Sequence, residues 1–408
     1  MINKRHQFSL MFFLAYLVPL FLFRSWKLWL APTVDGVLGT NEIYVALLYI
    51  VCGLFTWFTI EHKKVIKVGS PAFYYILFFV YVVFSNLCFV NQVDCQNIYA
   101  IAVILIPMGM SVIPQRTVRV NFRGLVFFVS IIAIIYATLG ILYSLNRSGR
   151  VNLPLGVSTT VVYFYLVAIP VINLSVKLCR SKLSRTCFFI GLWLTVIASF
   201  LTLSRAGSAV VLFLVAMIIF NDGSKNKISR RVFGIILLVS ILLFVSSYFD
   251  ISRLISGFSD NSTSERVRGS LLGLEIFKNN FLIGCGNGTY FERLYTYRHW
   301  TDKLITVYNT TGYFDPHNLY VLLLSENGFT GFILFCLFFK SIINRIRSIQ
   351  NIFVKNAGIQ LCLGILIYSF ASSDLMNLVG ISMIVWLLLG LFVSYSHYEK
   401  EKLLIYEV

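Results

Sequence analysis

Residues 261–291 read NSTSERVRGSLLGLEIFKNNFLIGCGNGTYF, and residues 313–318 read YFDPHN. The first stretch lies within Asp250–Pro316, a polar segment that is rich in Gly, Asn, Ser and Tyr, and the second stretch extends two residues past its end. On either side of this segment, the chain is divided into apolar runs of the length that crosses a bilayer. The sequence therefore predicts a membrane domain that carries one large polar insertion.

The composition is that of a polytopic membrane protein. Of the 408 residues, 58% are hydrophobic and 12% are charged, and the mean hydropathy is +0.81. Soluble domains contain about a quarter charged residues. The net charge of +17 lies in short clusters between the apolar runs, which is typical of a topology signal, so no nucleic-acid partner is expected.

The apolar runs predict an all-α polytopic membrane protein with about 12 transmembrane helices and one large extracytoplasmic loop that contains short amphipathic helices. The weakest run is the eighth, which needs a tight turn before it. The twelve predicted spans are 8–24, 43–60, 72–90, 98–113, 125–144, 157–176, 187–203, 208–220, 232–249, 328–345, 357–372 and 378–396.

The positions of Lys and Arg predict the orientation. With a cytoplasmic N-terminus, the cytoplasmic segments hold 22 basic residues and the short opposite loops hold 5. This bias places both termini in the cytoplasm. The predicted organisation is nine spans in 1–249, an extracytoplasmic loop at 250–316, and three spans with a cytoplasmic tail in 317–408.

Arg205 is the first candidate site residue. It stands in LTLSRAGS (201–208), between two apolar runs at the predicted external membrane boundary. A guanidinium fork matches phosphate oxygens, and the neighbouring Ser204 and Gly207 allow a tight turn. The alternative is an arginine that only extends its charge into water at a helix end.

Arg266 and Arg268 open a stretch with helical periodicity. Leu271, Leu274 and Phe277 fall on one face, which predicts an amphipathic helix against the membrane surface. Positive charge in the first turn opposes the helix dipole, so an anionic ligand is one interpretation. A solvated basic turn, partly neutralised by a neighbouring glutamate, is the other.

His317 and Asn318 close the loop. Pro316 predicts a helix start, which would place His317 in the first turn, where the dipole favours the neutral imidazole that a general base requires. A histidine that only packs at a helix end is the alternative. The nearby GCGNG (284–288) lacks a preceding strand and a following Lys-Ser/Thr, so it predicts a flexible turn and not a nucleotide site.

Metal and cofactor motifs are missing from the sequence. It shows no spaced acidic pair, no DxD, no HExxH and no GxSxG, and its eight cysteines lack metal-binding spacing. Neither a metal nor another cofactor is therefore expected.

These motifs, in this order, resemble the O-antigen ligase and O-antigen polymerase superfamily. The resemblance rests on LSRAG, on SERVRGSLLGLEIFKNNFLIGCGNGTYF and on PHNLYVLLLSENGFTGFILF, within about 190–340. It implies a metal-independent, inverting membrane glycosyltransferase of the GT-C type in the bacterial inner membrane. The implied donor is an undecaprenyl-diphosphate-linked glycan, and the implied acceptor is a glycan or the lipid A core.

The resemblance also implies residue roles. The two arginines that engage the diphosphate in the family match Arg205 and Arg266, and the histidine that activates the acceptor matches His317. Arg268, Asn318 and Ser204 are expected to bind substrate beside them. This chain departs from the family where Asn280 replaces a proline, and where Gly269 or Ser270 replaces an aromatic residue.

Three other functions stay open. The polymerase is slightly favoured over the ligase, although no residue separates the two. A flippase or transporter for lipid-linked sugars would also have many spans and basic residues, but the large external loop argues against it. A membrane scaffold would not require Arg205, Arg266 and His317 to lie within about 15–20 Å of one another, the reach of two arginines and one diphosphate.

Overall fold

The computed structural model describes residues 68–89, 105, 108–109, 111–112, 116–147, 158–220, 261–290, 293, 316–373, 375 and 379–406. The predicted spans 8–24, 43–60 and 232–249 lie outside the described residues, as does most of 98–113. All regular secondary structure in the described ranges is helical, which confirms the all-α class.

The described part of the chain holds nine helices. In chain order they are α1 (Pro71–Phe89), α2 (Arg116–Arg147), α3 (Ser158–Leu178), α4 (Lys182–Leu201), α5 (Arg205–Phe220), α6 (Asn261–Asn279), α7 (Leu319–Arg347), α8 (Ile352–Tyr368) and α9 (Val379–Tyr406). All except α6 coincide with a predicted span. Among them α1, α2, α3, α4 and α7 are long and apolar enough to cross a membrane, whereas α5 and α8 are shorter apolar helices. The total of twelve spans, their orientation and the extent of the loop stay predictions.

The chain forms two compact units. The first unit comprises Met1–Asn121, Asn261–Ile349 and Ser369–Val408, and the second comprises Phe122–Asp260 and Gln350–Tyr368. The polar loop helix α6 thus belongs to the same unit as α1, α7 and α9. The predicted division at residues 250 and 316 is a division of sequence and stays a prediction.

The second unit is built around α3. This helix is apolar on all sides, and 83% of its most apolar window is buried among α4, α5 and α8. Close approach depends on a small residue, because a Cβ on Gly207 of α5 would lie 2.5 Å from the Val162 side chain of α3. Hydroxyl groups add polar contacts of the kind that join helices in lipid: Tyr368 donates to the Thr159 carbonyl at 2.9 Å.

The first unit is built around α7, which packs on α1, α6 and α9. Aromatic rings fill the contacts. Phe335 of α7 lies edge-on to Phe78 of α1 at 6.1 Å between centroids, and the buried Trp386 of α9 lies 5.7 Å from Phe338. This aromatic layer holds the spanning part of α7 between two neighbours.

A crossing of two backbone segments interrupts α7. Gly328 has a φ of 62°, which breaks the helical geometry inside α7, and Gly284 in the segment after α6 has a φ of 79°. We call residues 281–286 and 325–330 the glycine crossing. Its hydrogen bonds are Phe329 N to Phe281 O at 2.8 Å, Gly286 N to Glu326 O at 2.9 Å and Cys285 N to Ser325 O at 3.0 Å.

Helix α1 completes the glycine crossing. The Tyr81 hydroxyl donates to the Asn327 carbonyl at 2.7 Å and also lies 3.1 Å from the Ile283 carbonyl oxygen. The Ser85 hydroxyl donates to that Ile283 carbonyl at 3.1 Å. A break in an apolar helix leaves backbone groups that must find other partners. The loop segment and α1 supply those partners here.

Helix α6 has one buried face and one exposed face. Leu272 and Ile276 are buried, and Gly273 lies against Val321 of α7. On the opposite side, Leu271 and Leu274 are exposed, as the sequence predicted for an amphipathic helix. Phe277 is instead half-buried, and its ring lies 5.1 Å from that of Phe281. The contact of the exposed face with lipid stays a prediction.

We expect Gly284→Ala and Gly328→Ala to destabilise the protein strongly. A Cβ on Gly328 would lie 2.5 Å from the Gly284 nitrogen, and a Cβ on Gly284 would collide with the Glu326 carbonyl group. Each variant should lose at least about 3 kcal/mol, because both backbone strain and displacement of the crossing contribute. Thermal unfolding of the purified protein in detergent measures the loss.

Gly69→Ala is the matched control for that experiment. Gly69 has a φ of 81° but nothing within 4 Å of an added Cβ, so only the backbone strain of about 1–2 kcal/mol applies. Equal shifts in all three variants would contradict the crossing as the cause.

We expect cysteines placed at Leu271 and Leu274 to be shielded from water in intact membranes. In a background without native cysteines, both should react much more slowly with a charged maleimide than a cysteine at Asn279, which is exposed on a polar side of α6. Fast labelling at all three positions would show that the exposed apolar face of α6 is in water.

Candidate functional site

Arg205 is the first residue of α5, directly after a sharp turn from α4. Leu203 has a φ of 53°, and the Ser204 hydroxyl accepts the Gly207 backbone N–H at 3.3 Å, as an N-cap does. The tight turn that the sequence predicted at LSRAG is therefore confirmed. It places the partly exposed Arg205 side chain at the positive end of a helix, a place suited to an anion.

Arg266 and Arg268 lie on different sides of α6. The prediction that they stand in its first turn was wrong, because the helix begins at Asn261 and both arginines lie in later turns. Arg268 is 3% exposed and shares the buried face with Leu272, whereas Arg266 is partly exposed. A ligand in solvent therefore has easier access to Arg266. Arg268 contributes to the packed interior of the first unit, and its contact with substrate stays a prediction.

His317 lies outside α7, and the prediction that Pro316 starts this helix was wrong. The helix begins at Leu319, and Asn318 is its N-cap, with Oδ1 accepting the N–H groups of Tyr320 at 3.0 Å and Val321 at 3.2 Å. The amide of Asn318 satisfies the helix start more effectively than a proline, which only tolerates that position. Asn318 thus has a clear structural role, and its contact with substrate stays a prediction.

The backbone of His317 is strained. Its φ of 43° lies in the left-handed region, which a non-glycine residue adopts at a cost of about 1–2 kcal/mol. Such residues persist where the surroundings hold them on both sides, and they cluster at functional sites. The backbone that carries the half-buried imidazole is therefore held in one conformation by its neighbours.

A hydrogen bond joins α6, which carries Arg266, to residues 316–318, which we call the histidine segment. The Ser270 hydroxyl donates to the Pro316 carbonyl at 3.1 Å. Ser270 follows Arg266 by one helical turn, and residues four apart lie about 5–6 Å from one another on the same face. Within the first unit, this bond therefore holds the Pro316 backbone against α6, about one helical turn from Arg266. Arg205 and Ser204 belong to the second unit and are described with it.

The GCGNG segment is a buried turn. Gly284, Cys285, Gly286 and Asn287 are buried, and the glycine crossing fixes them. Burial raises the pKa of the Cys285 thiol to about 12, and the nearby Glu326 carboxylate adds to the rise. Cys285 is a free, buried thiol. The sequence predicted a flexible turn here; the turn is confirmed, but its flexibility was wrong, because backbone hydrogen bonds to α7 hold the segment in a buried position.

Two buried polar residues near the site were missed in the sequence. Glu326 is 5% exposed and its Oε1 accepts the Tyr290 backbone N–H at 3.2 Å, while the Tyr290 hydroxyl donates to the Gly269 carbonyl at 2.9 Å. The available signal was the acidic residue in VLLLSENGF, since a charged side chain in an apolar run marks a functional or tightly bonded position.

The described ranges contain no cluster of three His, Cys, Asp or Glu side chains with metal-binding geometry. The expectation of metal-independent chemistry stays a prediction. The cationic candidate residues Arg205, Arg266 and Arg268 are of a type that binds diphosphate oxygens directly.

Comparison with known families identifies one segment. Residues 190–336 match the family model Wzy_C, described as O-Antigen ligase. The matched segment runs from within α4 to within α7 and contains Arg205, Arg266, Arg268 and His317. No curated protein matches the chain.

Two observations indicate the class of protein. Five described helices are long and apolar enough to cross a membrane, and residues 190–336 are similar to the O-antigen ligase family. The resemblance of this chain to the O-antigen ligase and O-antigen polymerase superfamily is thereby confirmed over residues 190–336.

Proposed function

We propose that the chain transfers or polymerises undecaprenyl-diphosphate-linked repeat units on the outer face of the bacterial inner membrane. The observation that carries this proposal is the family match over residues 190–336, which contains every predicted site residue. The Ser270–Pro316 hydrogen bond supports it, because it joins the helix of Arg266 to the segment of His317.

In the proposed reaction, an acceptor hydroxyl oxygen attacks the anomeric carbon of the donor sugar from the face opposite the diphosphate. The bond between the anomeric carbon and the diphosphate oxygen breaks, and undecaprenyl diphosphate leaves with the electron pair. His317 accepts the hydroxyl proton. Arg205 and Arg266 offset the charge on the leaving diphosphate, and Arg268, Ser204 and Asn318 support substrate binding.

The three arginines differ in their position, and we propose a different role for each. Arg205 stands at a helix N-terminus, where the helix dipole adds to the guanidinium charge. Arg266 is partly exposed on the face of α6 that Ser270 shares. Arg268 is buried on the other side of α6, so we propose that it supports substrate binding by holding α6 in place.

We expect Arg205→Ala and His317→Ala to abolish glycan transfer while the protein still reaches the membrane. Loss of a general base costs about 10²–10⁴-fold, and loss of one charge-stabilising group about 10²–10³-fold. Glycan gels from complemented null cells measure the product, and membrane immunoblots measure the protein level.

Arg180→Ala is the matched control, because Arg180 is an exposed arginine in the turn between α3 and α4. It should leave the glycan pattern unchanged. Normal product from both Arg205→Ala and His317→Ala would overturn the proposed mechanism.

A ligase that transfers the glycan to the lipid A core is the second candidate. The description of the matched family model as O-Antigen ligase favours it, whereas we retain a slight preference for the polymerase from the overall sequence pattern. Both reactions use the same donor and the same proposed residues, so the acceptor alone distinguishes them.

We expect the lipopolysaccharide of a null strain to identify the acceptor. Loss of long chains with one repeat unit still attached would identify a polymerase, and accumulation of unattached polymer would identify a ligase. A purified protein that moves the lipid-linked donor across vesicles and leaves its glycosidic bonds unchanged would instead be a flippase or transporter.

A further inference from the structure

The histidine segment is part of a closed ring of contacts that also includes α6, Tyr290 and the first part of α7. The Ser270 hydroxyl donates to the Pro316 carbonyl at 3.1 Å, and the Tyr290 hydroxyl donates to the carbonyl of the adjacent Gly269 at 2.9 Å. The Tyr290 backbone N–H donates to the Glu326 carboxylate at 3.2 Å, and α7 leads from Glu326 back towards His317. The two arms of the ring therefore meet at consecutive residues of α6.

The Glu326 side of the ring is rigid. Tyr290 is fully buried, and Glu326 is 5% exposed. The glycine crossing fixes the backbone around Glu326 through the bond from Gly286 N at 2.9 Å. Satisfied polar networks in a buried setting hold their geometry closely. Movement of α6 relative to α7 at this level would break several of these contacts at once.

The strained residue of the ring is His317. Its φ of 43° is held between two anchored neighbours. Pro316 is anchored through its carbonyl by Ser270, and Asn318 is anchored as the N-cap of α7, while the Leu319 N–H donates to the Ser369 carbonyl at 2.9 Å. Of these three hydrogen-bonded anchors, the one from Ser270 comes from α6. Its removal would let the Pro316–His317 peptide relax and turn the imidazole.

We propose that Ser270 and Tyr290 are positioning residues that set the distance between the His317 imidazole and the Arg266 guanidinium. Arg266 and Ser270 lie one turn apart on the same face of α6, so the Ser270–Pro316 bond defines this distance directly. Tyr290 fixes the same turn of α6 through the carbonyl of the adjacent Gly269. The inference rests on the proposed function, and it assigns a role to a serine at one of the two positions, Gly269 and Ser270, where the family resemblance implies an aromatic residue.

The test compares Ser270→Ala with Ser270→Thr in the purified full chain, with a lipid-linked donor and its acceptor. Ser270→Ala should lower kcat by about tenfold to hundredfold, because small misplacements of reacting groups have effects of that size. The KM for the donor and the unfolding temperature should not change. Ser270→Thr keeps the hydroxyl and should restore kcat.

Two further variants complete the design. Asn279→Ala removes a 3.0 Å hydrogen bond to the Glu275 carbonyl at the exposed end of the same helix, and it should behave as wild type. Tyr290→Phe removes only the hydroxyl that holds Gly269 and should lower kcat as Ser270→Ala does.

The outcomes separate the two levels of proposal. Wild-type kcat in Ser270→Ala, together with an inactive His317→Ala, would overturn the positioning role and leave the proposed function intact. A raised donor KM at unchanged kcat, a lowered unfolding temperature, or no rescue by Ser270→Thr would also overturn it. Full activity of His317→Ala and Arg205→Ala would instead contradict the proposed function itself.

Discussion

The first unit depends on the contact between two backbones at Gly284 and Gly328. Both residues have positive φ values, and each lies where any side chain would meet the other segment. A helix in an apolar setting rarely breaks, because its freed backbone groups need partners. Here the segment after α6 and two hydroxyl groups of α1 supply them. The segment after α6 is therefore hydrogen-bonded to the backbone of α7 and to the hydroxyl groups of α1.

This construction explains how a polar site is held beside an apolar bundle. The crossing fixes the start of α7, and α7 carries the N-cap that orients His317. Leu203 in the second unit and His317 in the first share one local design, since each adopts a left-handed backbone immediately before an N-cap residue. In both places, a short polar side chain starts a helix and a candidate site residue stands beside it.

Periodicity and hydropathy predicted the features that depend on neighbouring residues. The turn at LSRAG, the exposed leucines of α6 and most helix positions follow from local composition. The start of α7 did not follow from local composition. The polar residues SENG (325–328) lower the local hydropathy, so the sequence predicted a span that begins only at residue 328 and ends at 345. The helix continues through Glu326 and Asn327 because distant residues bond them. Partners that are 36 or 40 positions away leave no mark on the local pattern.

Residues 290 and 316 are held to consecutive residues of α6, through Tyr290 to Gly269 and through Ser270 to Pro316. The chain between them therefore leaves and returns at one point. The entropy cost of closing such a loop rises only slowly with its length. Insertions, deletions or exchange of this stretch should therefore change the free energy of unfolding of the first unit only slightly.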